Sequence, residues 1–179
     1  VAEYSAPWTA AAVLSREQAI AWGVSGIVAR ASGLDLDLRR DDPVLAYGDL
    51  AGLIEAPVLT DGDVPARYAL LADQVRSGAT LMLACIDRLR SLGDGEVSVP
   101  LPKVVRLPEG STYAALEGPL GACGAFVVST GEKTPWRLKV RSASFASMQA
   151  MTVALAQTPR EAVAAAVMSF PVVLGDVDR

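Results

Sequence analysis

Hydrophobic and polar positions along the chain fall into three patterns. From Val64 to Leu92 the apolar residues Val64, Tyr68, Leu71, Val75, Ala79, Met82, Ile86 and Leu89 recur at steps of four and three. That spacing sets them on one stripe of a helix, which at 1.5 Å per residue reaches roughly 43 Å. Leu70, Leu81, Leu83 and Cys85 lie off the stripe, so more than one neighbour is expected to pack this helix, and Gly78 marks a place for close contact. Asp63, closing the turn Asp61-Gly62-Asp63, suits its N-cap. A second pattern runs from Trp136 to Arg141, with Trp136, Leu138 and Val140 on one strand face and Arg137, Lys139 and Arg141 on the other. Ala125 to Val128 reads as a buried strand, and a turn from Thr130-Gly131 to Thr134-Pro135 joins the two into a β-hairpin with one cationic face.

The third pattern is a set of short elements. Val1 to Leu14 reads as a connection leading into the domain, and Ser15 with Gln18 is a capping box that starts a helix ending near Trp22. Leu50 to Thr60 suits a short extended segment, and Val97 to Val99 a short strand inside a Gly/Pro-rich loop. Phe145, Met148, Met151 and Leu155 have helical spacing, with Ser144 as the cap of a helix reaching Ala156. Thr158-Pro159-Arg160-Glu161 combines an N-cap threonine, a proline at the first position and a glutamate three on, which predicts a helix to about Met168. Ser169 to Leu174 reads as extended and apolar, and Gly175 to Arg179 as a charged tail. The mixture defines an α+β fold in a single domain over residues 1–179.

Composition narrows the function. The chain has 179 residues, 51% of them hydrophobic, which is ample for a core. A net charge of −4 gives no general attraction to nucleic acid or to anionic lipid. The cationic strand face therefore remains either a solvated face or a local anion-binding one. With no histidine and two cysteines, Cys85 and Cys123, the chain lacks His-based triads and any Cys pair at metal-ligand spacing. Cys85 sits in a mostly apolar helical run, as a reduced buried thiol would. No Walker A loop and no GxGxxG opening a helix is present. No run reaches the ~18–20 consecutive apolar residues of a spanning helix, so a soluble protein or one peripheral to a membrane is expected. The first residue, Val1, suggests a processed chain or an excised domain.

Two stretches carry a resemblance. The first is Ser25-Gly26, Arg30-Ala31-Ser32-Gly33, Asp37 to Arg40, Pro43 and Tyr47. The second is EGPLGACGAFVVSTG from Glu117, PWRLKVRSASFASMQAM from Pro135, and the terminal GDVDR. Together they resemble the C-terminal half of the D subunit of NADH:quinone oxidoreductase, respiratory complex I. That family is related to the large subunit of nickel–iron hydrogenases. The resemblance implies a hydrogenase large-subunit-like C-terminal domain in which a long helix and shorter helices accompany a small antiparallel sheet, with the family's N-terminal half absent.

The same resemblance implies a quinone-head cavity at the seam with a neighbouring iron–sulfur subunit, whose cluster supplies the electrons. Glu117, Pro119, Leu120, Gly121, Phe145, Phe170, Val173 and Leu174 would line one wall, Val173 matching an inhibitor-sensitive valine of the family. Arg30, Arg39, Arg40, Arg141, Asp176, Asp178 and Arg179 would serve structure and subunit interfaces. No catalytic residue and no metal ligand carries over, because the family's His and Tyr donors belong to the N-terminal half and the hydrogenase Cys-x-x-Cys ligands have no counterpart. The expected cofactor set for this chain is therefore none, with quinone as substrate. Expected partners are the iron–sulfur subunit and other peripheral-arm subunits, without nucleic acid. Membrane contact would be made through the complex only, at the cytoplasmic face of the inner membrane.

Three departures stand out. Leu120 occupies the place of a family Arg or Lys, removing a permanent cation and its donors. Pro171 stands at a family Asp, and the region after the long helix lacks the family's histidine-containing segment. They motivate an alternative, a divergent paralogue with a structural or assembly role and no quinone chemistry. Read without the family, Asp35 and Asp37 with Arg39 and Arg40 form a local ion-pair cluster of the surface type, worth ~0–1 kcal/mol.

Overall fold

A computed structural model describes residues 8–95 and 97–178. The elements in order are α1 (Arg16–Ala21), α2 (Gly26–Ala31), α3 (Leu38–Asp41), α4 (Tyr47–Leu50), a 3-10 turn (Ala51–Leu53), α5 (Val64–Leu92), β1 (Gly110–Gly118), β2 (Gly121–Ser129), β3 (Arg137–Arg141), α6 (Ala143–Leu155), a 3-10 turn (Arg160–Ala162), α7 (Val163–Ser169) and α8 (Leu174–Val177). The α+β reading holds.

The short helix α2 is the hub. All six of its residues are buried, Val28 and Ala29 in the main core with Leu14, Val64, Ala150 and Phe170. Ile27 and Ala31 close a second cluster against Ala66 and Leu70 of α5. Full burial of Ile27 and Val28 contributes roughly 1.5–3 kcal/mol each. A helix buried all round shows no amphipathic period, so hydrophobic spacing does not reveal it. The capping box opens α1 as expected: Ser15 Oγ accepts from the Gln18 N–H, and Gln18 Oε1 accepts from the Ser15 N–H at 3.0 Å.

α5 has the expected bounds and its Asp63 cap, which accepts from the Ala66 N–H at 3.0 Å. Its stripe is used only in part. The buried positions are Val64, Ala66, Arg67, Leu70, Ser77 and Leu81, whereas Val75, Met82 and Leu89 are 75%, 61% and 66% exposed. The first half packs on α2 and α7; in the second, Leu81 with Ala84 and Cys85 packs on Leu50 and Ile54, while Met82, Leu83, Leu89 and Leu92 are exposed. A Cβ at Gly78 would meet nothing within 4 Å, which corrects the expected close helix contact there. Length and mean composition alone would let α5 cross a membrane, although charged residues interrupt it and no run of consecutive apolar residues reaches spanning length. Its packed first half instead carries a buried arginine, Arg67.

The sheet has the order β1-β2-β3 and is antiparallel throughout. A two-residue turn, Pro119-Leu120, links β1 to β2 across the pair Gly118 and Gly121. β1 is an addition to the expected hairpin, which comprises only β2 and β3. Leu50 to Thr60 is not extended at its start but completes α4 and a 3-10 turn, and no strand forms at Val97 to Val99, both exposed. Ser142, not Ser144, caps α6 by accepting from the Phe145 N–H. Thr158 donates back to the Ala154 carbonyl at 3.0 Å, so its predicted helix opens one residue later as a 3-10 turn. Residues 170–173 are extended and Leu174 begins the short helix α8, shortening the predicted extended segment and tail.

Candidate functional site: a clamped turn and an open rim

The residues singled out in the sequence form two constellations. The first surrounds the β1–β2 turn. Glu117, at the end of β1, reaches α2 and α3. Its Oε1 is 3.6 Å from Arg30 Nη1, and its Oε2 accepts from the Leu38 N–H at 3.4 Å. Arg30 also donates to Asp37 Oδ2 at 3.2 Å and to Gln74 Oε1, on α5, at 3.4 Å. Arg39 holds the same Asp37 with a two-pronged grip, Nε to Oδ1 at 2.9 Å and Nη2 to Oδ2 at 2.7 Å. Gln74 in turn donates to the Pro119 carbonyl at 2.8 Å. Four segments distant in sequence thus converge on one turn.

Burial changes what these charges mean. Asp37 is wholly buried and Arg30 and Glu117 nearly so, which corrects the reading of a weak surface cluster. Only Arg40, paired with Asp35 and Asp41, fits that description. Burial pushes the Asp37 carboxyl upward, but Arg39 and Arg30 outweigh it and hold Asp37 below the usual carboxylate range. Glu117 goes the other way, pushed up by burial and by the charge of Asp37. Burial lowers Arg30 against the support of Asp37 and Glu117. Arg30 Nε and Glu117 Oε1 have no hydrogen-bond partner among the described residues, so the cluster is held by charge more than by full hydrogen bonding.

Backbone contact completes the clamp. Gly121 (φ +131°) lies so close to Gly26 (φ +62°) that a Cβ on Gly26 would meet Gly121 Cα at 2.6 Å. Ser25 Oγ accepts from the Ala122 N–H at 2.9 Å. Both glycines satisfy close approach and a left-handed backbone at once. Pro119 is exposed and Leu120 half-buried at the tip of the turn.

The second constellation is a rim at the α6 N-terminus. Arg141 Nη2 donates to the Gly23 carbonyl at 2.9 Å. Wholly buried Ser144 accepts from the Val173 N–H at 3.3 Å, and Asp176 Oδ2 accepts from the Ser144 N–H at 3.3 Å. These bonds draw the segment 173–176 onto α6. The rim bounds a concavity of about 480 Å³ lined by Trp22, Lys139, Arg141, Phe145 and Asp176 among others. Phe145, Val173 and Leu174 are 56%, 52% and 75% exposed, whereas Val172 is half-buried and packs on the main core. Phe170 differs, being buried. Asp178 is exposed, and Arg179 lies outside the described residues. Among the described residues no hydrogen bond or ion pair joins the turn 117–121 to 170–174.

Arg67 escapes the sequence reading. It is fully buried and donates to Ser169 Oγ at 2.9 Å, to the Gly62 carbonyl at 2.7 Å and to the Ala12 carbonyl at 3.0 Å. Its guanidinium carbon stands 4.2 Å from the centroid of the Phe170 ring, a cation–π contact. Burial pushes it down to about 10. The available signal is an arginine between Val64 and Tyr68, on the apolar side of an amphipathic helix.

Comparison with known proteins places this arrangement. The fold matches a chain in the structure of the membrane-bound sulfane sulfur reductase, an archaeal respiratory membrane complex, with TM-score 0.83 and 30% identity over 98% of this chain and 48% of that one. The class is thus a subunit fold of respiratory oxidoreductase complexes. Residues 8–179 match the family of the respiratory-chain NADH dehydrogenase 49 kDa subunit, and the chain belongs to that family. It is 49% identical over 166 residues to a D subunit of the NADH-quinone oxidoreductase of Streptomyces coelicolor, covering 93% of this chain and 43% of that protein. A D subunit of the corresponding enzyme of Salinispora arenicola is 50% identical over 169 residues, 93% of this chain and 43% of its own length. The chain spans less than half the length of these relatives. A D subunit from Sinorhizobium medicae is 35% identical, and its alignment runs over 195 residues for the same 93% of this chain and 48% of its own length. Some relatives therefore carry residues that this chain and its Streptomyces relative lack, in keeping with the shortened segment expected from sequence. Identity near one half does not favour a divergent paralogue.

Proposed function

We propose that this chain forms one wall of a quinone-head cavity in an NADH:quinone oxidoreductase-type assembly, at the seam with an iron–sulfur subunit. That neighbour's cluster delivers the electrons, and this chain binds no cofactor of its own. The resemblance carries no proton donor into this chain, so in this reading the protons taken up on quinone reduction come from groups outside it. Its task is to shape and exclude. The clamp fixes the β1–β2 turn, the bonds through Ser144 and Asp176 fix the rim, and apolar side chains face the ring. Membrane contact is made through the complex, on the cytoplasmic face.

The observation that carries this reading is the rim itself. Phe145, Val173 and Leu174 are held out from the core by a segment that Ser144 and Asp176 pin in place. Exposed apolar side chains on an anchored backbone are a surface prepared for a lipophilic occupant, each worth about 1.5–3 kcal/mol when covered.

The test is V173W in the full-length subunit within its assembled complex. The expected result is a rise of about tenfold in KM for a short-chain quinone and reduced sensitivity to quinone-site inhibitors, with electron transfer from NADH to ferricyanide unchanged. Unchanged quinone KM and inhibitor sensitivity would overturn the proposal.

A further inference from the structure

The sheet carries a face whose charge the quinone reading leaves unassigned, although Arg141 also anchors the rim and, with Lys139, lines its concavity. Residues directly opposite in an antiparallel sheet share a face, and the register sets Arg137 across from Val128, Lys139 across from Phe126, and Phe126 across from Tyr113. Arg137, Lys139 and Arg141 thus stand in a row beside two aromatic rings. Together the five side chains line a concavity of about 500 Å³. Among the described residues none of the three cations has a carboxylate within 4 Å, although Arg30, Arg39, Arg40, Arg76, Arg88 and Arg90 all do. β3 is also an edge strand with every residue exposed, so among the described residues one row of its backbone N–H and C=O groups has no ladder partner.

We propose that this face and edge receive an extended acidic segment of a partner subunit, added to β3 as a fourth strand. Its carboxylates at alternate positions lie over Arg137, Lys139 and Arg141. Strand addition supplies backbone hydrogen bonds, and alternate side chains supply the specificity. Charge complementarity sets register and partner choice. A nucleic acid fits less well: its backbone has no use for the free strand edge, and a chain of net charge −4 repels a long polyanion. Lysine on an edge strand also blunts self-association, and that role by itself calls for neither the aromatic pair nor three cations in register.

The experiment has two arms. A photo-crosslinking residue replaces Lys139 in the full-length subunit, and the assembled complex is irradiated and the adduct sequenced. The expected adduct is an extended segment of another protein subunit with Asp or Glu at alternate positions. A neutral or basic segment, a nucleic acid, a lipid, or no adduct would overturn the proposal. In the second arm the full-length subunit is titrated with a synthetic peptide of alternating Glu and Thr and with its Gln/Thr twin. The Glu/Thr peptide is expected to bind with strong salt dependence and the twin not to bind. R137E/K139E should weaken the Glu/Thr peptide about tenfold or more and take up a Lys/Thr peptide instead. Equal binding of the twins by the native protein, or no change in the double variant, would overturn it.

Discussion

The neighbourhood of α2 and the three-stranded sheet meet where Ser25-Gly26 lies against Gly121-Ala122 and Glu117 reaches Arg30, and away from that contact they handle charge in opposite ways. Around α2, Arg30 is closed in by Asp37, Glu117 and Gln74, and every residue of the helix is buried. On the sheet, Trp136, Leu138 and Val140 are 78%, 57% and 44% exposed on one face, and the row of cations on the other finds no carboxylate among the described residues. The same sequence type, an arginine beside apolar residues, is thus an internal fastener in one place and an outward-facing group in the other. What separates them is the partner available within the fold. The first region stabilises the domain, and the second is finished only by something else.

Substitutions should divide along that line. The largest effect is expected from D37N, which leaves buried Arg30 and half-buried Arg39 without their shared anion. Removing one partner of a buried pair costs about 3–5 kcal/mol, read as a shift in the denaturation midpoint of the full-length protein. The pH dependence carries a sign. A carboxyl held below its unfolded value stabilises the fold above that value, near 3.9, and loses this as pH falls through its lowered folded value. Glu117 is raised, so its contribution is present below about 4.3 and fades as pH rises through its folded value. Stability of the native protein should therefore fall in acid more steeply than that of D37N. Parallel curves would show that Asp37 is not the fastener.

G26A comes next. Its Cβ would meet Gly121 Cα at 2.6 Å and the Leu120 carbonyl at 2.8 Å, on a residue with φ +62°. Overpacking of this type costs roughly 1–3 kcal/mol, and the strain should loosen the turn. Hydrogen exchange at Ala122 is the direct measure. S25A is milder: it keeps the backbone contact but strips the Ala122 N–H of its acceptor, a loss of about 1–3 kcal/mol for a buried donor. An S25A protein as stable as the native one, with Ala122 still protected, would mean that water replaces the hydroxyl and that the seam rests on the glycines alone.

What can be read from sequence follows the same division. Long amphipathic α5 and alternating β3 show themselves through periodicity, because each has a polar side. α2 does not, since a six-residue helix buried all round has no period to detect. β1 is hidden for a related reason: its Gly110 to Leu116 stretch is largely exposed and carries no apolar alternation. Ser144 reads as a cap because capping is the usual work of a serine before an apolar run, whereas in the fold tertiary contact with Val173 and Asp176 claims it. The family resemblance names Arg30, Asp37 and Glu117 within separate motifs. Only the fold brings them within 4 Å, since β1 and α3 are some eighty residues apart in the chain.

The smallest effect on folding, and the sharpest contrast, is expected from L138S. Leu138 is exposed on the apolar face of β3, and a surface change away from caps and buried networks falls within about ±0.5 kcal/mol. The denaturation midpoint of the full-length protein should barely move. Assembly should respond more, because Trp136, Leu138 and Val140 form an apolar strip next to cations that have no carboxylate partner among the described residues, and contiguous exposed apolar surface marks an interaction site. Recovery of the subunit in its complex after purification is the readout, with D37N as the opposite control, lost through instability rather than through a bare surface. If L138S destabilised the isolated protein as much as S25A does, the sheet would belong to the same cooperative unit as α2. An unchanged midpoint with reduced assembly would establish that the sheet is held by the fold only at its seam and is completed by a partner.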